Sequence, residues 1–469
     1  MIRIDVLPDD VLLEIFDFYV MYSTYLKDGT KRNAEAWQAL VHVCQRWRSL
    51  VFLSPRRLNL QLFCTPKTPA RDTLDVWPAL PLIVWGSISS DTDNVIAALE
   101  QSNRVRSIGL MDLAGWQSKE VLAVMQVPFP ELTRLCILSD DETPPVIPNS
   151  FLDGSSPRLV LITLEGISFP GLPKLIMSAT HLVYIRLAKI PHSGYISPEA
   201  MVALLAVLSN LRRLEIWFRS PQSCPGQERR SLLPPKRSTL PALDYFFFRG
   251  AAGYLEEFVT HIDTPHLESL TITFFNQIDF NCSRLAQFIN RTPTLRSRDY
   301  AKVEFRDTIV GVSFQDHLVS GHGNILIYIS CREADWQLSS IEQLCNSSLH
   351  PLFTIEDLYI EHDYSPLVWK NDAMKTMENA LWSEILRPFT AVKDLYISNE
   401  FALGFAATLQ EFVGGRTTGV LPNLQNIFVD GLQPSGPFQE KIGVFVAARE
   451  LSDLPIAISV WHNQNIKRI

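Results

Sequence analysis

Side chains able to do covalent or metal chemistry are present in this chain, but they do not fall into a working arrangement. Seven cysteines, Cys44, Cys64, Cys136, Cys224, Cys282, Cys331 and Cys345, could serve as thiolate nucleophiles or zinc ligands. A zinc site wants ligands in closely spaced pairs, and no C-x-x-C pair occurs. An odd, unpatterned set of this kind reads as reduced thiols, not as a disulfide framework. His317 and His322 lie five apart near glycines, with no further His or Cys placed to complete a metal site, and read as loop histidines. Asp140-Asp141-Glu142, ahead of Pro144-Pro145, could be an acid–base pair but reads as a solvated acidic turn. Asp9-Asp10 suits a helix N-terminus, where carboxylates favour the exposed N–H groups. Gly321-His322-Gly323 and Gly414-Gly415 are isolated turn signals, and no G-x-x-x-x-G-K-S/T phosphate loop is present. The chain is therefore expected not to be an enzyme and to need no cofactor and no metal.

The 469 residues carry 42 basic and 50 acidic side chains, a formal net charge of −8. That balance argues against a nucleic-acid binder, which needs a basic surface to displace counterions. An apolar fraction of 46% against 20% charged residues is enough to build a core. The opening Met-Ile-Arg-Ile-Asp has no apolar run of a secretory signal. The longest apolar stretch, around Ala200–Leu208, is too short to span a bilayer. No membrane partner is expected, the location expected is cytoplasmic and/or nuclear, and the N-x-S/T matches at Asn281, Asn290 and Asn346 carry no glycan meaning there.

The elements that could position a site come from an internal repeat. A phrase L-x-x-L-x-L, with other aliphatics or Phe accepted, occurs at Val105/Ile108/Leu110, Leu132/Leu135/Ile137, Leu159/Ile162/Leu164, Leu182/Ile185/Leu187 and Leu211/Leu214/Ile216. It continues at Leu243/Phe246/Phe248, Leu267/Leu270/Ile272, Ile355/Leu358/Ile360, Val392/Leu395/Ile397 and Leu424/Ile427/Val429. A degenerate copy starts at Leu295, where Arg298 spoils the middle position, and Ile325–Ile329 adds a further strand. Helix patterns intervene at Asp93–Gln101, Ser197–Leu208, Gly253–Ile262, Arg284–Asn290, Asp372–Leu386 and Phe438–Arg449. Ser197-Pro198-Glu199 supplies an N-cap, a proline at the first helical position and an early acid. A strand and a helix every 23 to 32 residues, over most of the chain, give α/β layering: an irregular leucine-rich-repeat solenoid, a right-handed β-α superhelix of about ten to twelve strands. The Asn that usually follows the strand is replaced by Asp140, Ile167, Ile190, Arg219 and Phe275, so no regular Asn ladder is expected. A parallel β-helix carbohydrate enzyme also stacks strands, but it predicts few helices and a carboxylate cluster.

The first sixty residues lack the repeat. Val11, Leu12, Ile15, Phe16 and Tyr19 fall at helical spacing, as do Leu40, Val43, Cys44 and Trp47. A charged connection from Tyr19 to Trp37, with Lys27, Asp28, Lys31, Arg32 and Glu35, reads as an exposed loop. Leu7-Pro8-x-x-Val11-Leu12-x-x-Ile15-Phe16, followed by Leu40-x-x-Val43-Cys44-x-x-Trp47, resembles the F-box, with Asp10 a shorter carboxylate than the usual acid. With repeats behind it, the chain looks like a fungal F-box/leucine-rich-repeat protein, with an F-box-like helical domain at 1–63 and the solenoid at 64–469. The resemblance implies a substrate-recognition adaptor of an SCF-type, cullin–RING ubiquitin ligase. It implies an SCF adaptor subunit bound through Leu7, Pro8, Leu12, Ile15, Phe16, Leu40, Val43, Cys44 and Trp47, cullin and RING subunits reached through it, and a protein substrate on the repeats. The alternative is a non-catalytic interaction scaffold whose N-terminal helices only cap the solenoid, a need of every repeat array.

If the phrase points inward, the residues between its apolar positions line the opposite face. That face carries Arg134, Tyr184, Arg186, Arg213, Glu215, Trp217, Tyr245, Phe247 and Arg249 toward the front. Toward the back it carries Asp357, Tyr359, Glu361, Asp394, Tyr396, Phe428 and Asp430. Candidate substrate contacts are Arg186, Arg213, Trp217, Tyr245, Phe247, Arg249, Tyr359, Asp394, Tyr396 and Phe428, aromatics and Arg being the side chains that anchor interfaces. An acidic or phosphorylated end of a substrate would face the arginines and a basic end Asp394 and Asp430. The segment 219–240, rich in Pro and Arg/Lys, reads as a loop of no fixed structure.

Overall fold

A computed structural model describes residues 7–25, 36–88, 92–113, 115–223, 237–275, 282–296, 298–315, 324–331, 334–346, 350–362, 379–411, 420–430 and 437–461. His317, His322, Gly414, Gly415, the charged stretch 26–35 and most of 219–240 lie outside the described residues, as does the front of the helix expected at Asp372–Leu386. The chain divides into two compact units, Met1–Gly194 and Tyr195–Ile469.

The first unit opens with three helices, α1 (Asp9–Tyr25), α2 (Trp37–Val41) and α3 (Gln45–Leu53). Six strands follow: β1 (Leu62–Cys64), β2 (Leu82–Ser87), β3 (Val105–Met111), β4 (Arg134–Leu138), β5 (Leu161–Glu165) and β6 (Tyr184–Ile190). They pair in parallel and in chain order. Parallel pairing forces each connection back across a face of the sheet, and short helices such as Asp93–Leu99 and Leu172–Ser178 make those returns. The inward row is the repeated phrase: Leu132, Leu135, Ile137, Leu159, Ile162, Leu182 and Ile185 are fully buried.

The second unit holds β7 (Arg213–Phe218), β8 (Ser238–Thr239), β9 (Tyr245–Gly250), β10 (Ile262–Asp263), β11 (Ser269–Phe274), β12 (Tyr300–Arg306), β13 (Ile309–Gln315), β14 (Ile325–Ser330), β15 (Asp357–His362), β16 (Asp394–Ile397), β17 (Asn426–Asp430) and β18 (Ala457–Trp461). Strands β8 and β10 form a separate parallel pair, so the segment expected to be an unstructured loop ends in a paired strand. The others follow the order β7-β9-β11-β14-β13-β12-β15-β16-β17-β18. The solenoid is thus irregular in a way the repeat does not announce. After β11 the chain passes over two places, enters at β12 and returns through β13, antiparallel to both β12 and β14. It then seats β14 parallel to β11 and β15 parallel to β12.

The degenerate copy at Leu295 is displaced. Leu295 is buried, but in a short 3-10 turn, and the inward row of β12 is Ala301, Val303 and Phe305. Arg298 is buried beside that turn, where its Nη2 donates to the Thr294 carbonyl at 2.6 Å. Strands β1, β2, β13 and β18 lack the phrase, and α1 continues six residues past Tyr19 into the stretch read as loop. In place of an Asn ladder, assorted side chains satisfy the strand-end carbonyls, as buried acceptors require. Ser139 donates to Leu113 at 2.8 Å, and Gln337 to Arg306 at 2.8 Å and to Cys331 at 2.9 Å; ahead of β17, buried Arg449 donates to Leu424 at 3.1 Å. The expected cap is present: the Ser197 hydroxyl accepts from the Ala200 N–H, with Pro198 at the first helical position.

Two glycines mark close approach of rings to the outer face. Gly109 pairs with Trp85 and Gly311 with Tyr328. A Cβ built at either would come within 1.9 Å of the Trp85 ring or 2.2 Å of the Tyr328 ring. Gly109→Ala should cost about 1–3 kcal/mol, the usual penalty for overpacking, and Trp85→Ala in the same chain should restore most of it. Unfolding midpoints of the single and double variants check the coupling.

Candidate protein-interaction surfaces

The three N-terminal helices have a core of their own. Leu12, Phe16, Trp37, Leu40, Val41 and Val51 are buried. Phe16 meets Trp47 at 4.7 Å between ring centroids. Trp37 donates from Nε1 to the Gln61 carbonyl at 3.1 Å and packs edge-on to Trp77 at 5.2 Å. Arg46, the second residue of α3, reaches back to α1. Its Nη2 donates to the Leu7 carbonyl and to Asp9 Oδ1, each at 2.6 Å, which fixes the Leu7-Pro8 opening against the second half of the motif. Arg57 pairs with Glu14 across the same bundle.

This packing sorts the nine expected adaptor contacts into three classes. Leu12, Phe16 and Leu40 are buried in the head's own core; Leu7 and Trp47 are half-buried. Pro8, Ile15, Val43 and Cys44 are exposed. Val11, Phe18 and Tyr19 are exposed beside them, with Ile15 at 43% and Phe18 at 71% of full exposure. Val11, Ile15, Phe18 and Tyr19 follow the i, i+4, i+7 spacing of one helix face. That spacing was readable in the sequence; which apolar residues of α1 turn outward was not, because both stripes are apolar.

The outer face of the repeats is lined by half-buried side chains, as alternation requires. In the first unit Arg186 is held by Glu165 at 3.3 Å, and Lys189 bridges Glu165 and Asp140 at 2.9 and 2.6 Å. Asp140 of the acidic turn is therefore an ion-pair partner. In the second unit Arg213 lies 4.5 Å over the Tyr245 ring, and Arg249 lies 5.0 Å over Trp217 and 5.9 Å from Phe275. Burial pulls the Arg249 guanidinium below its ordinary pKa, and its Nε has no hydrogen-bond partner among the described residues. Phe247 stands half-buried between them on β9.

Further along, the expected aromatics form a ladder. Tyr300, Tyr359, Tyr396 and Phe428 occupy successive strands, with centroid spacings of 4.7, 4.0 and 4.5 Å. Tyr359 and Tyr396 are parallel to within 1°. Trp461, from β18, closes edge-on over Tyr396 at 5.5 Å and Tyr359 at 5.7 Å. Beside the ladder Lys302 pairs with Glu361 at 2.7 Å and Glu304 at 3.1 Å, and Arg306 with Glu304 at 2.8 Å. Glu361 is thus buried and neutralised, while Asp394 accepts from Asn426 at 2.6 Å. Burial would lower the Lys302 pKa, but its two carboxylates outweigh that and raise it. Among the described residues no group of His, Cys, Asp and Glu is arranged to hold a metal ion, and no helix is long and apolar enough to cross a membrane.

No protein-family profile and no curated protein matches this sequence. The leucine-rich-repeat-containing protein LegL7 from Legionella pneumophila has a solved structure similar to this one, at 12% identity and a TM-score of 0.27, covering 82% of this chain and 97% of that one. The fold assignment stands on the strand register and the buried row described above.

Burial, first, and then the neighbouring hydroxyl of Tyr396 raise the Tyr359 phenol; burial and the carboxylates of Glu361, Glu304 and Asp357 raise Tyr300. A phenol whose folded pKa lies above its unfolded value near 10 stabilises fully below that value and loses its contribution as pH rises through the folded one. Stability should therefore fall above about pH 10, and the Tyr300→Phe/Tyr359→Phe variant should show a shallower fall. Denaturation midpoints between neutral and alkaline pH would test it.

Proposed function

We propose that this chain is the substrate-recognition adaptor of an SCF-type ubiquitin ligase, the head docking the SCF adaptor subunit and the repeats holding a protein substrate. The observation that carries the proposal is the exposed apolar stripe of the head. A bundle whose function was only to cap the solenoid needs its inner face, the one bearing Trp37, and gains nothing from leaving Val11, Ile15 and Val43 in water. The stripe includes the Leu-Pro opening and the Val-Cys turn of the motif, and Arg46 fixes these two parts to each other.

The function would be positional. The head grips the ligase core through the adaptor, and the outer face of the repeats holds a substrate. The lysines of that substrate then stay at high effective concentration near the charged conjugating enzyme. No bond is made or broken by this chain. Capping alone is the second reading, favoured by the lock of Trp37 onto Gln61 and Trp77, and it predicts a folded head that binds no adaptor.

Co-purification with the SCF adaptor subunit separates the two. The wild-type chain should bind stoichiometrically, and Ile15→Asp/Val43→Asp should weaken binding by at least about tenfold with an unchanged melting temperature. Phe16→Ala should instead lower stability by about 3–5 kcal/mol. A folded wild-type chain that captures no adaptor would leave the capping scaffold as the function.

A further inference from the structure

Most cations on the outer face of the repeats are engaged: Arg186 and Lys189 by Glu165, Lys302 and Arg306 by Glu304, Arg213 and Arg249 by rings. Where the strands of the first unit begin, two are not. Arg106 of β3 and Arg134 of β4 are exposed, and among the described residues neither meets a carboxylate. Arg106 owes its position to an irregularity in the ladder. Val105 pairs with Leu82 and Ser107 with Ile83, so Arg106 is an extra residue with no opposite number on β2. Val105 and Ile108 are both buried, which leaves Arg106 and Ser107 to the outer face. A bulge of this kind re-aims a side chain.

The two arginines are neighbours. Ser107 pairs with Arg134, so Arg106 and Arg134 start one residue and one strand apart, adjacent strands being about 4.8 Å from each other. Arg106 is oriented by Asn59, whose Oδ1 accepts from Nη1 at 3.3 Å and from Gln61 Nε2 at 3.0 Å. A third arginine at the same strand entry, Arg104, donates to the carbonyls of Leu80 and Pro78 at 3.1 and 3.3 Å, and burial pulls its guanidinium below the ordinary pKa. This charge is not balanced locally. The turns leading into β2, β3 and β4 hold two acids, Glu100 and Glu131. Glu131 pairs with Arg158, and Glu100 is exposed at the end of the helix Asp93–Leu99. Leu161, the partner of Arg134 on β5, carries no charge.

Two guanidinium groups on adjacent strands, each with N–H donors to spare, suit a pair of carboxylates, because the planar fork matches a carboxylate bidentately. A nucleic acid would need a far larger basic surface than this acidic chain offers. From this we propose that Arg106 and Arg134 receive an extended acidic segment of a protein partner, its carboxylates paired with the two guanidinium groups. The proposal rests on reading the repeats as a substrate-binding surface and names the chemistry of what this part of them binds.

The probes are fluorescein-labelled Gly/Ser peptides of equal length bearing three glutamates, three glutamines or three lysines, titrated by anisotropy with the full chain at low salt, where surface charges are least screened. The glutamate peptide should bind at least about tenfold tighter than the glutamine peptide, and the lysine peptide should not bind. Arg106→Ser/Arg134→Ser should weaken glutamate binding by about tenfold with an unchanged melting temperature, because both side chains are exposed. Arg158→Ser removes an arginine that already has its carboxylate and should bind like wild type. A loss in Arg158→Ser equal to that of the double variant would reduce the surface to diffuse attraction and overturn the proposal. So would an Arg106→Ser/Arg134→Ser chain that binds like wild type, or an oligothymidylate that binds as tightly as the glutamate peptide. Asp5→Asn/Asp28→Asn/Glu35→Gln should bind no tighter than wild type. A gain of about tenfold there would mean that the chain's own acids already occupy the arginines, and would overturn assignment to a partner. Adaptor capture is scored on the same preparations: its failure would sink the ligase reading and leave the peptide result standing, and Arg106→Ser/Arg134→Ser should leave it intact.

Discussion

The structure depends on one row of aliphatic side chains that no repeat can bury alone. Each strand offers two or three inward residues, too little apolar area to offset the entropy of ordering some twenty-five residues. Burial is complete only when the rows of adjacent strands meet. That is why Leu135, Ile162 and Ile185 in the first unit, and Leu214, Leu270 and Leu395 in the second, are all fully excluded from water. The constraint governs one side of the sheet and leaves the other side free to vary. The inward residues are interchangeable aliphatics and Phe, whereas the outward ones differ from strand to strand.

Freedom on the outer face has been used for contacts within the protein as well as for exposure. Arg186, Arg213 and Arg249 look in sequence like a row of unengaged cations. In the structure one is held by a carboxylate and two lie over rings. The aromatics of the second unit stack on each other, and Lys302 neutralises Glu361 at the edge of the stack. A long-range gradient from basic to acidic therefore describes this face less well than a set of local partnerships.

The inward row was legible because it is periodic, and ten copies of a three-position phrase fix strand, face and register together. What failed to show was whatever broke that period. Strand β12 starts five residues beyond the Leu that should open it, because Leu295 is spent on a 3-10 turn. Strand β13 carries an alternation that is the same whether it runs parallel or antiparallel, so its direction could not be read. In the head the helical spacing of the apolar residues was legible, but both stripes of α1 are apolar. Only packing decides that Leu12 and Phe16 turn in while Val11 and Ile15 turn out. Partners of the outer-face charges were invisible for a related reason: Glu165 with Arg186, or Lys302 with Glu361, depends on register between strands twenty to sixty residues apart.

The reversed strand also bears on how the chain is made. A regular solenoid can close strand by strand as it leaves the ribosome, each new strand pairing with the one just finished. Here the open edge of β11 waits for β14, not for the next strand in the chain. Everything from Phe274 to Ile325 must emerge before that edge is covered by β14. While that stretch is being made, a parallel edge is bare and open to capture by a chaperone or a neighbouring nascent chain.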